Sequence, residues 1–162
     1  MTNQAGDHAG EAFRRIVDAY PEARVELTFR NPLELLVATI LSAQCTDKRV
    51  NQITKTLFLN YPNVAAYATA NLEELEEAVR PSGFFRQKAK NIKACCVDIV
   101  KRHNGVVPSG MEELTSLAGV GRKTASVLLA IAFDTPAIAV DTHCRRVSQR
   151  LGLTTENNPE KV

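Results

Sequence analysis

The fold is decided by the stretch Leu117-Ala118-Gly119-Val120-Gly121-Arg122-Lys123-Thr124-Ala125, which is typical of a helix, a tight hairpin and a second helix. Its two glycines allow positive φ angles and a close approach of the backbone to a ligand. The helix that resumes at Arg122 would direct its free N–H groups and the positive end of its dipole out of the loop. The stretch therefore predicts a seat for a phosphate group.

A nucleotide-binding P-loop is the alternative interpretation of this glycine-containing stretch. A P-loop needs the pattern Gly-x-x-x-x-Gly-Lys-Ser/Thr directly after a buried strand. Here Arg122 separates the last glycine from Lys123, and the residues from Met111 to Leu117 have a helical pattern. A single phosphate of a nucleic-acid backbone is therefore the better ligand.

Helical patterns occupy most of the remaining chain. Asn31, Pro32 and Glu34 open a helix that is apolar nearly all round, which predicts the central buried helix. A capping box of Ser109 and Glu112 is predicted to open the helix before the hairpin. The other predicted helices cover residues 11–20, 48–60, 72–80, 124–133 and 142–151, and a long one runs from the Phe84-Phe85 pair to about His103. Residues 25–29 alternate like a strand but have no predicted partner, so the fold class is all-α.

The charge balance favours a local basic surface. The 162 residues include 20 Lys or Arg and 18 Asp or Glu, for a formal charge of +2. That total does not imply binding of polyanions over the whole surface. From Arg86 to Arg102, however, six basic residues accompany the single acidic residue Asp98. A nucleic-acid-binding surface would therefore occupy only part of the molecule.

The cysteines and the hydropathy predict a cytoplasmic protein. The four cysteines lack the paired spacing of metal ligands, and the adjacent Cys95-Cys96 is a poor start for a disulfide framework. His143 and Cys144 have no third ligand, so no metal site is predicted. No apolar run reaches about 18 residues, and no signal peptide precedes the first helix. We therefore expect reduced thiols and no membrane contact.

Three motifs follow one another along the chain. They are Ile40-Leu41-Ser42-Ala43-Gln44-Cys45-Thr46-Asp47, the hairpin stretch quoted above, and Val140-Asp141-Thr142-His143. Together they resemble the endonuclease III family of helix-hairpin-helix DNA glycosylases with AP-lyase activity. The resemblance covers roughly Glu11 to Val162. It implies an all-α fold of two lobes, with the DNA groove and the damaged-base pocket between them.

The resemblance also implies a division of the chain. Residues 1–10 are expected to form a flexible terminus, and residues 11–30 a helix and an extended link that belong to the second lobe. Residues 31–135 form the first lobe, with the helix-hairpin-helix at about 110–133. Residues 136–162 begin the rest of the second lobe, which carries the catalytic aspartate and is incomplete in this chain.

Lys123 matches the nucleophile of this family, and Asp141 matches its catalytic carboxylate. An amine can attack the sugar C1′ as the glycosidic bond breaks, and the resulting imine permits β-elimination of the 3′ phosphate. Asp141 is assigned to stabilising the positive charge that develops on the sugar, and a role in proton handling stays open. Taken alone, Lys123 is typical of a solvated surface lysine and Asp141 of a helix N-cap.

Other positions match the DNA contacts of the family. Gln44 matches a residue that is inserted into the duplex when a nucleotide is flipped out, and Phe84 or Phe85 lies in the loop that resembles the second wedge. In the alternative interpretation, Gln44 caps a helix and one phenylalanine belongs to the core. The remaining DNA-binding candidates are Gly119, Val120, Gly121, Arg122, Thr124, His143 and Arg146.

The resemblance implies a monomeric, nucleoid-associated base excision repair enzyme that removes oxidised pyrimidines from damaged double-stranded DNA and cuts the strand through a lysine Schiff base. A non-catalytic helix-hairpin-helix DNA-binding fragment is one alternative. A monofunctional adenine or alkyl-base glycosylase is another, although such enzymes usually replace the hairpin lysine. Family members usually continue into helices with four cysteines that bind a [4Fe–4S] cluster. That set is absent here, so we expect no cofactor, and either a chain truncated before the iron–sulfur segment or a member without the cluster.

Overall fold

The computed structural model describes residues 3–161, and for residues 3–7 and 160 it describes the backbone alone. Its α-helices are α1 (Asn3–Ala19), α2 (Pro32–Ser42), α3 (Asp47–Asn60), α4 (Val64–Thr69), α5 (Leu72–Val79), α6 (Phe85–His103), α7 (Met111–Thr115), α8 (Arg122–Ala132) and α9 (Thr142–Arg150). Short 3-10 turns cover Arg80–Ser82 and Pro159–Lys161. No strand occurs within residues 3–161, which confirms the predicted all-α fold. Residues 25–29 form the predicted extended loop.

The described residues form two units. The larger unit, Glu26–Ala139, contains α2 to α8. The smaller unit combines residues 3–25 with residues 140–161 and contains α1 and α9. In the described part of the chain, no helix is both long and apolar enough to cross a membrane.

Helix α2 is the buried centre of the larger unit, as its apolar sequence predicts. The Asn31 side chain accepts a hydrogen bond of 3.0 Å from the Glu34 backbone N–H, and Pro32 is the first helical residue. Both signals that predicted this start are therefore in place. The helix packs against α3, α6 and α8. Each of its large apolar side chains contributes about 1.5–3 kcal/mol by leaving water. The fully buried ones are Leu35, Leu36, Val37 and Leu41.

Helix α1 begins at Asn3, which corrects the prediction of a flexible terminus for residues 3–10. Residues 1 and 2 lie outside the described residues. Once the helix from Glu11 onwards has formed, each preceding residue adds a hydrogen bond without a new nucleation step. His8 Nε2 also donates a hydrogen bond of 2.6 Å to the Leu151 carbonyl, so the first turns of α1 are tied to the end of α9 in the smaller unit.

Two other local predictions differ from the structure. The N-cap of α7 is Gly110, and no described side chain caps this helix, so the predicted capping box of Ser109 and Glu112 is wrong. Helix α4 is not among the helices predicted from the sequence. Asn63 caps it by accepting a hydrogen bond of 2.9 Å from the Ala66 N–H. At six residues, α4 is too short to show a helical period.

Candidate active site and nucleic-acid interface

Two buried apolar side chains pack the hairpin between α7 and α8 against the core. Leu117 and Val120 are buried, and the Val120 N–H donates a 3.2 Å hydrogen bond to the Leu117 carbonyl. The turn therefore has a fixed shape that its two buried side chains maintain. Of the predicted DNA-binding residues, Val120 can contribute only its backbone, because its side chain belongs to the core.

Gly119 occupies a position that requires glycine. Its φ angle is +76°, in the left-handed region that side chains rarely adopt. A β-carbon at this position would lie 2.7 Å from Cβ and 2.8 Å from Nδ2 of Asn91 on α6. The hairpin can pack against α6 only because this side chain is absent. Gly119 is therefore a packing residue as well as a turn residue.

Gly121 does not use the freedom to adopt a positive φ that glycine gives it. Its φ and ψ angles are −87° and 173°, which is ordinary extended backbone. As the N-cap of α8, it must leave the helix in the extended region. A β-carbon here would meet nothing within 4 Å. The space beside Gly121 is open, as a close approach by a ligand would require.

Helix α8 presents its N-terminus at this open space. Among the described residues no side chain caps α8, and its first backbone bond joins the Ala125 N–H to the Gly121 carbonyl at 2.9 Å. The N–H groups of the first turn and the helix dipole form an anion-binding geometry. Arg122 and Lys123 are exposed in this turn and Thr124 is half-buried. The predicted phosphate seat thus has a rigid helix of 11 residues behind it.

The other predicted catalytic residue begins α9, in the smaller unit. Asp141 is the N-cap of α9, and its Oδ1 accepts a 2.8 Å hydrogen bond from the Cys144 N–H. The interpretation of Asp141 as an N-cap is therefore confirmed. The Asp141 side chain is half-buried, and those of His143 and Arg146 are exposed on the same helix.

Four of the predicted DNA-binding residues meet around one cavity of the larger unit. The cavity has a volume of about 280 Å³. It is lined by segments from three places in the chain: the end of α2, the start of α6 and the hairpin. The predicted residues among its lining are Gln44, Phe84, Gly119 and Thr124. The hairpin and the two candidate wedge segments therefore form one continuous surface.

Gln44 and Phe84 share an unusual backbone conformation. Their φ angles are +53° and +47°. Non-glycine residues seldom adopt this region, and such a conformation costs about 1–3 kcal/mol unless the surrounding structure compensates. Gln44 is exposed and does not cap α3, since that cap is Thr46. The alternative in which Gln44 caps a helix is therefore wrong for α3. Gln44 and Phe84 both lie on strained turns.

The structure distinguishes the two phenylalanines. Phe84 is 69% exposed at the N-cap of α6. Phe85 is half-buried against the core, and the guanidinium groups of Arg80 and Arg86 lie 5.3 and 5.5 Å from the centre of its ring. These are cation–π distances. Phe85 thus packs against the core, whereas the exposed Phe84 side chain is available to contact a bound ligand.

Lys88 also belongs to this surface, although the sequence did not predict it. It lines the cavity, but its side chain is only 5% exposed. Its Nζ donates hydrogen bonds of 2.9 Å to the Leu41 carbonyl and 2.7 Å to the Ser82 carbonyl. Burial lowers the pKa of Lys88. The only signal in the sequence is its place on the apolar stripe of α6, four residues before Ile92 and seven before Cys95.

The cysteines present do not fit a [4Fe–4S] cluster. Cys95 and Cys96 are buried in the core of α6, and burial raises the pKa of the Cys95 thiol to about 12. All four cysteines are free thiols. Within residues 3–161, no group of three or more His, Cys, Asp or Glu side chains is arranged to hold a metal ion.

Comparison with known proteins adds independent evidence. Residues 37–162 match the model of the HhH-GPD superfamily base excision DNA repair proteins. The chain is 53% identical to an endonuclease III of Synechocystis over 144 residues, which are 88% of this chain and 66% of that protein. The chain thus spans slightly less than two thirds of that relative.

Solved structures of endonuclease III also match the fold. A non-covalent endonuclease III–DNA complex superposes with a TM-score of 0.90 at 45% identity, over 96% of this chain and 73% of that one. A trapped endonuclease III–DNA covalent intermediate, described as an estranged-adenine complex, gives 0.86 at 46% identity, over 93% and 72% of the two chains. With the hairpin geometry and the family match, these similarities establish that the chain belongs to the endonuclease III family of the HhH-GPD superfamily.

Proposed function

We propose that this protein is a base excision repair DNA glycosylase with AP-lyase activity, which acts as a monomer on oxidised pyrimidines in the DNA of the nucleoid. The observation that carries the proposal is the uncapped start of α8, where the space beside Gly121 is open and the exposed Lys123 lies in the first turn of the helix. A phosphate of the damaged strand would bind the N–H groups of this turn. That contact would bring the adjoining sugar to the lysine.

The reaction assigned to Lys123 has two stages. In the first, its amine nitrogen bonds to the sugar C1′ while the C1′–N glycosidic bond breaks, and the base leaves with the electron pair and takes up a proton. In the second, opening of the sugar ring gives an imine between Lys123 and C1′. Loss of the acidified C2′ proton then forms a C2′=C3′ double bond, and the C3′–O bond breaks to release the phosphate. The covalent intermediate described for the related endonuclease III supports this chemistry.

Asp141 is assigned to the first stage. Positive charge develops on the sugar as the base departs, and a carboxylate close to that charge stabilises the transition state more than the ground state. The capping bond to Cys144 uses one carboxylate oxygen and fixes the side chain at the start of α9. Asp141 can thus act as a cap and as an electrostatic group at once.

The phosphate seat is tested by Gly121→Ala. We expect the variant to fold with a stability within about 1 kcal/mol of wild type, because the φ angle is ordinary and the new methyl group enters open space. Its affinity for every duplex, damaged or not, should fall by about tenfold, because the methyl group occupies the place of the phosphate. Fluorescence anisotropy with labelled duplexes measures the affinity.

Gly119→Ala is the matched contrast. At φ +76° and 2.7 Å from Asn91, the added methyl group should destabilise the fold by about 1–3 kcal/mol. Thermal unfolding would separate the two variants. Unchanged DNA affinity in a folded Gly121→Ala protein would remove the phosphate seat from the proposal.

Phe84→Ala tests which phenylalanine enters the duplex. Since Phe84 is exposed, its removal should change the stability by less than about 0.5 kcal/mol. Cleavage of abasic duplex should fall by about tenfold, while cleavage of an abasic single strand stays near the wild-type rate, because only a duplex leaves an unstacked partner base. Gln44→Ala should show the same difference between substrates.

Phe85→Ala is expected to act on the fold instead. The Phe85→Ala variant loses core packing and the cation–π contacts with Arg80 and Arg86. We expect its free energy of unfolding to fall by about 1–3 kcal/mol. Thermal unfolding and the two cleavage assays are run on both variants. If Phe84→Ala slows both substrates equally, the residue is not a wedge.

A further inference from the structure

Lys88 joins the two segments that carry Gln44 and Phe84. The Leu41 carbonyl lies in the last turn of α2, three residues before Gln44, and the Ser82 carbonyl ends the 3-10 turn, two residues before Phe84. The Lys88 ammonium bonds to both carbonyls. Its own backbone N–H donates a 3.1 Å hydrogen bond to the Phe84 carbonyl. One side chain therefore connects the end of α2, the 3-10 turn and the start of α6.

These connections hold both strained turns. Gln44 and Phe84 need compensation for their positive φ angles. The Lys88 ammonium bonds to the chain just before each turn, at the Leu41 and Ser82 carbonyls. Leu41 also offers a carbonyl near the negative end of the α2 dipole, where a cation is stabilised. A shorter or apolar side chain at position 88 could not bind both carbonyls.

A buried ammonium is an expensive means of stabilising a fold. Moving a charge out of water costs several kcal/mol, and packed apolar side chains often do as well or better. Among the described residues, Lys88 forms no ion pair, and its contacts are to neutral carbonyls. The side chain lines the cavity between Gln44 and Phe84. Its place there is explained better by the geometry of the two turns than by stability.

We propose that Lys88 is a positioning residue, which fixes the separation of the segments carrying Gln44 and Phe84 so that both side chains enter a damaged duplex together. The proposal rests on the proposed function, since it concerns the opening of a base pair at a damaged site. It assigns Lys88 no contact with the reacting sugar. Its loss should therefore affect the processing of duplex DNA and leave the chemistry on a single strand in place.

The test compares Lys88→Met with wild type in the full protein. Methionine has a similar length and no donor. A duplex with 2-aminopurine opposite a tetrahydrofuran abasic analogue reports unstacking as a rise in fluorescence. We expect wild type to give this rise and Lys88→Met to lose most of it. Cleavage of a natural abasic duplex should fall by about tenfold or more, because small displacements of positioned groups have effects of this size. Cleavage of a single-stranded abasic site should stay within about threefold.

Lys93→Met is the matched control. Lys93 lies on the same helix, and its Nζ also donates to a backbone carbonyl, that of Ala70 at 2.7 Å, but this bond closes the end of α4 away from the cavity. The Lys93→Met variant should be less stable than wild type but should show the same fluorescence rise and the same ratio of duplex to single-strand cleavage. Equal values for Lys88→Met and Lys93→Met would overturn the role of Lys88. If the wild-type protein neither unstacks the 2-aminopurine nor cleaves the abasic duplex, the proposed function itself is wrong.

A second variant covers the case in which Lys88→Met does not fold. Lys88→Arg keeps the charge and several donors, but its larger planar head group must displace the two carbonyls. A ratio of duplex to single-strand cleavage at least threefold below wild type would support the proposal. A ratio equal to wild type in the folded arginine variant would overturn it.

Discussion

Replacing Lys123 with glutamine is expected to reduce strand cleavage at abasic sites by at least about a thousandfold, because removal of a nucleophile abolishes the covalent path. Duplex affinity should change by less than about threefold, since binding depends mainly on backbone N–H groups and several basic side chains. Lys123 is exposed in the first turn of α8, so the substitution should leave the fold intact. Gel analysis of a labelled abasic duplex measures the cleavage, and anisotropy measures the affinity.

Lys55→Gln provides the control for the loss of one positive charge. Lys55 is an exposed lysine on α3, outside the cavity and the hairpin. The Lys55→Gln variant should cleave like wild type. Normal cleavage by Lys123→Gln would exclude Lys123 as the nucleophile. Loss of DNA binding without loss of cleavage per bound complex would make Lys123 a phosphate contact instead.

Asp141→Asn is expected to slow the release of a damaged base by about 10²–10³-fold, because it removes a charge that stabilises the transition state. Asparagine caps helices as well as aspartate does, so the bond to the Cys144 N–H can persist and the stability should change little. Cleavage at a site that has already lost its base should be affected less. Single-turnover kinetics on the two substrates separate the steps.

Asp141→Ala completes this comparison. It removes both the charge and the cap, so it should slow base release as Asp141→Asn does and also destabilise the protein by about 1 kcal/mol. Equal base release by wild type and Asp141→Asn would leave Asp141 with the capping role alone. The two substitutions thus distinguish the structural role of this carboxylate from its chemical one.

The elements predicted well from the sequence are those whose signals are local. Asn31 and Pro32 mark the start of α2, and the side chain of Asn31 accepts the hydrogen bond from the Glu34 N–H as a cap should. The long apolar periods of α2 and α6 required helices whatever their neighbours. Taken alone, Asp141 is typical of a helix N-cap, and its side chain does accept the hydrogen bond from the Cys144 N–H. Residues of this kind need no knowledge of the tertiary structure.

The structural features that the sequence did not predict depend on contacts between distant segments. Gln44 lies between α2 and α3, and Phe84 lies between the 3-10 turn and α6. Both have positive φ angles that nothing in either residue type favours. Nothing in its residue type distinguishes Lys88 from the other basic residues of α6, but Lys88 is buried and its Nζ bonds to two carbonyls from other segments. Gly119 and Gly121 look alike in the sequence, yet only Gly119 meets Asn91. Tertiary packing decided each of these cases.

The most direct test of the central claim is reduction of the proposed imine. The protein is incubated with an abasic duplex and borohydride, and the adduct is digested and mapped by mass spectrometry. A covalent imine between Lys123 and C1′ predicts a stable protein–DNA adduct, with the sugar attached to the peptide that contains Lys123, and no adduct from Lys123→Gln. An adduct on another residue, or trapping by Lys123→Gln at the wild-type level, would contradict the account.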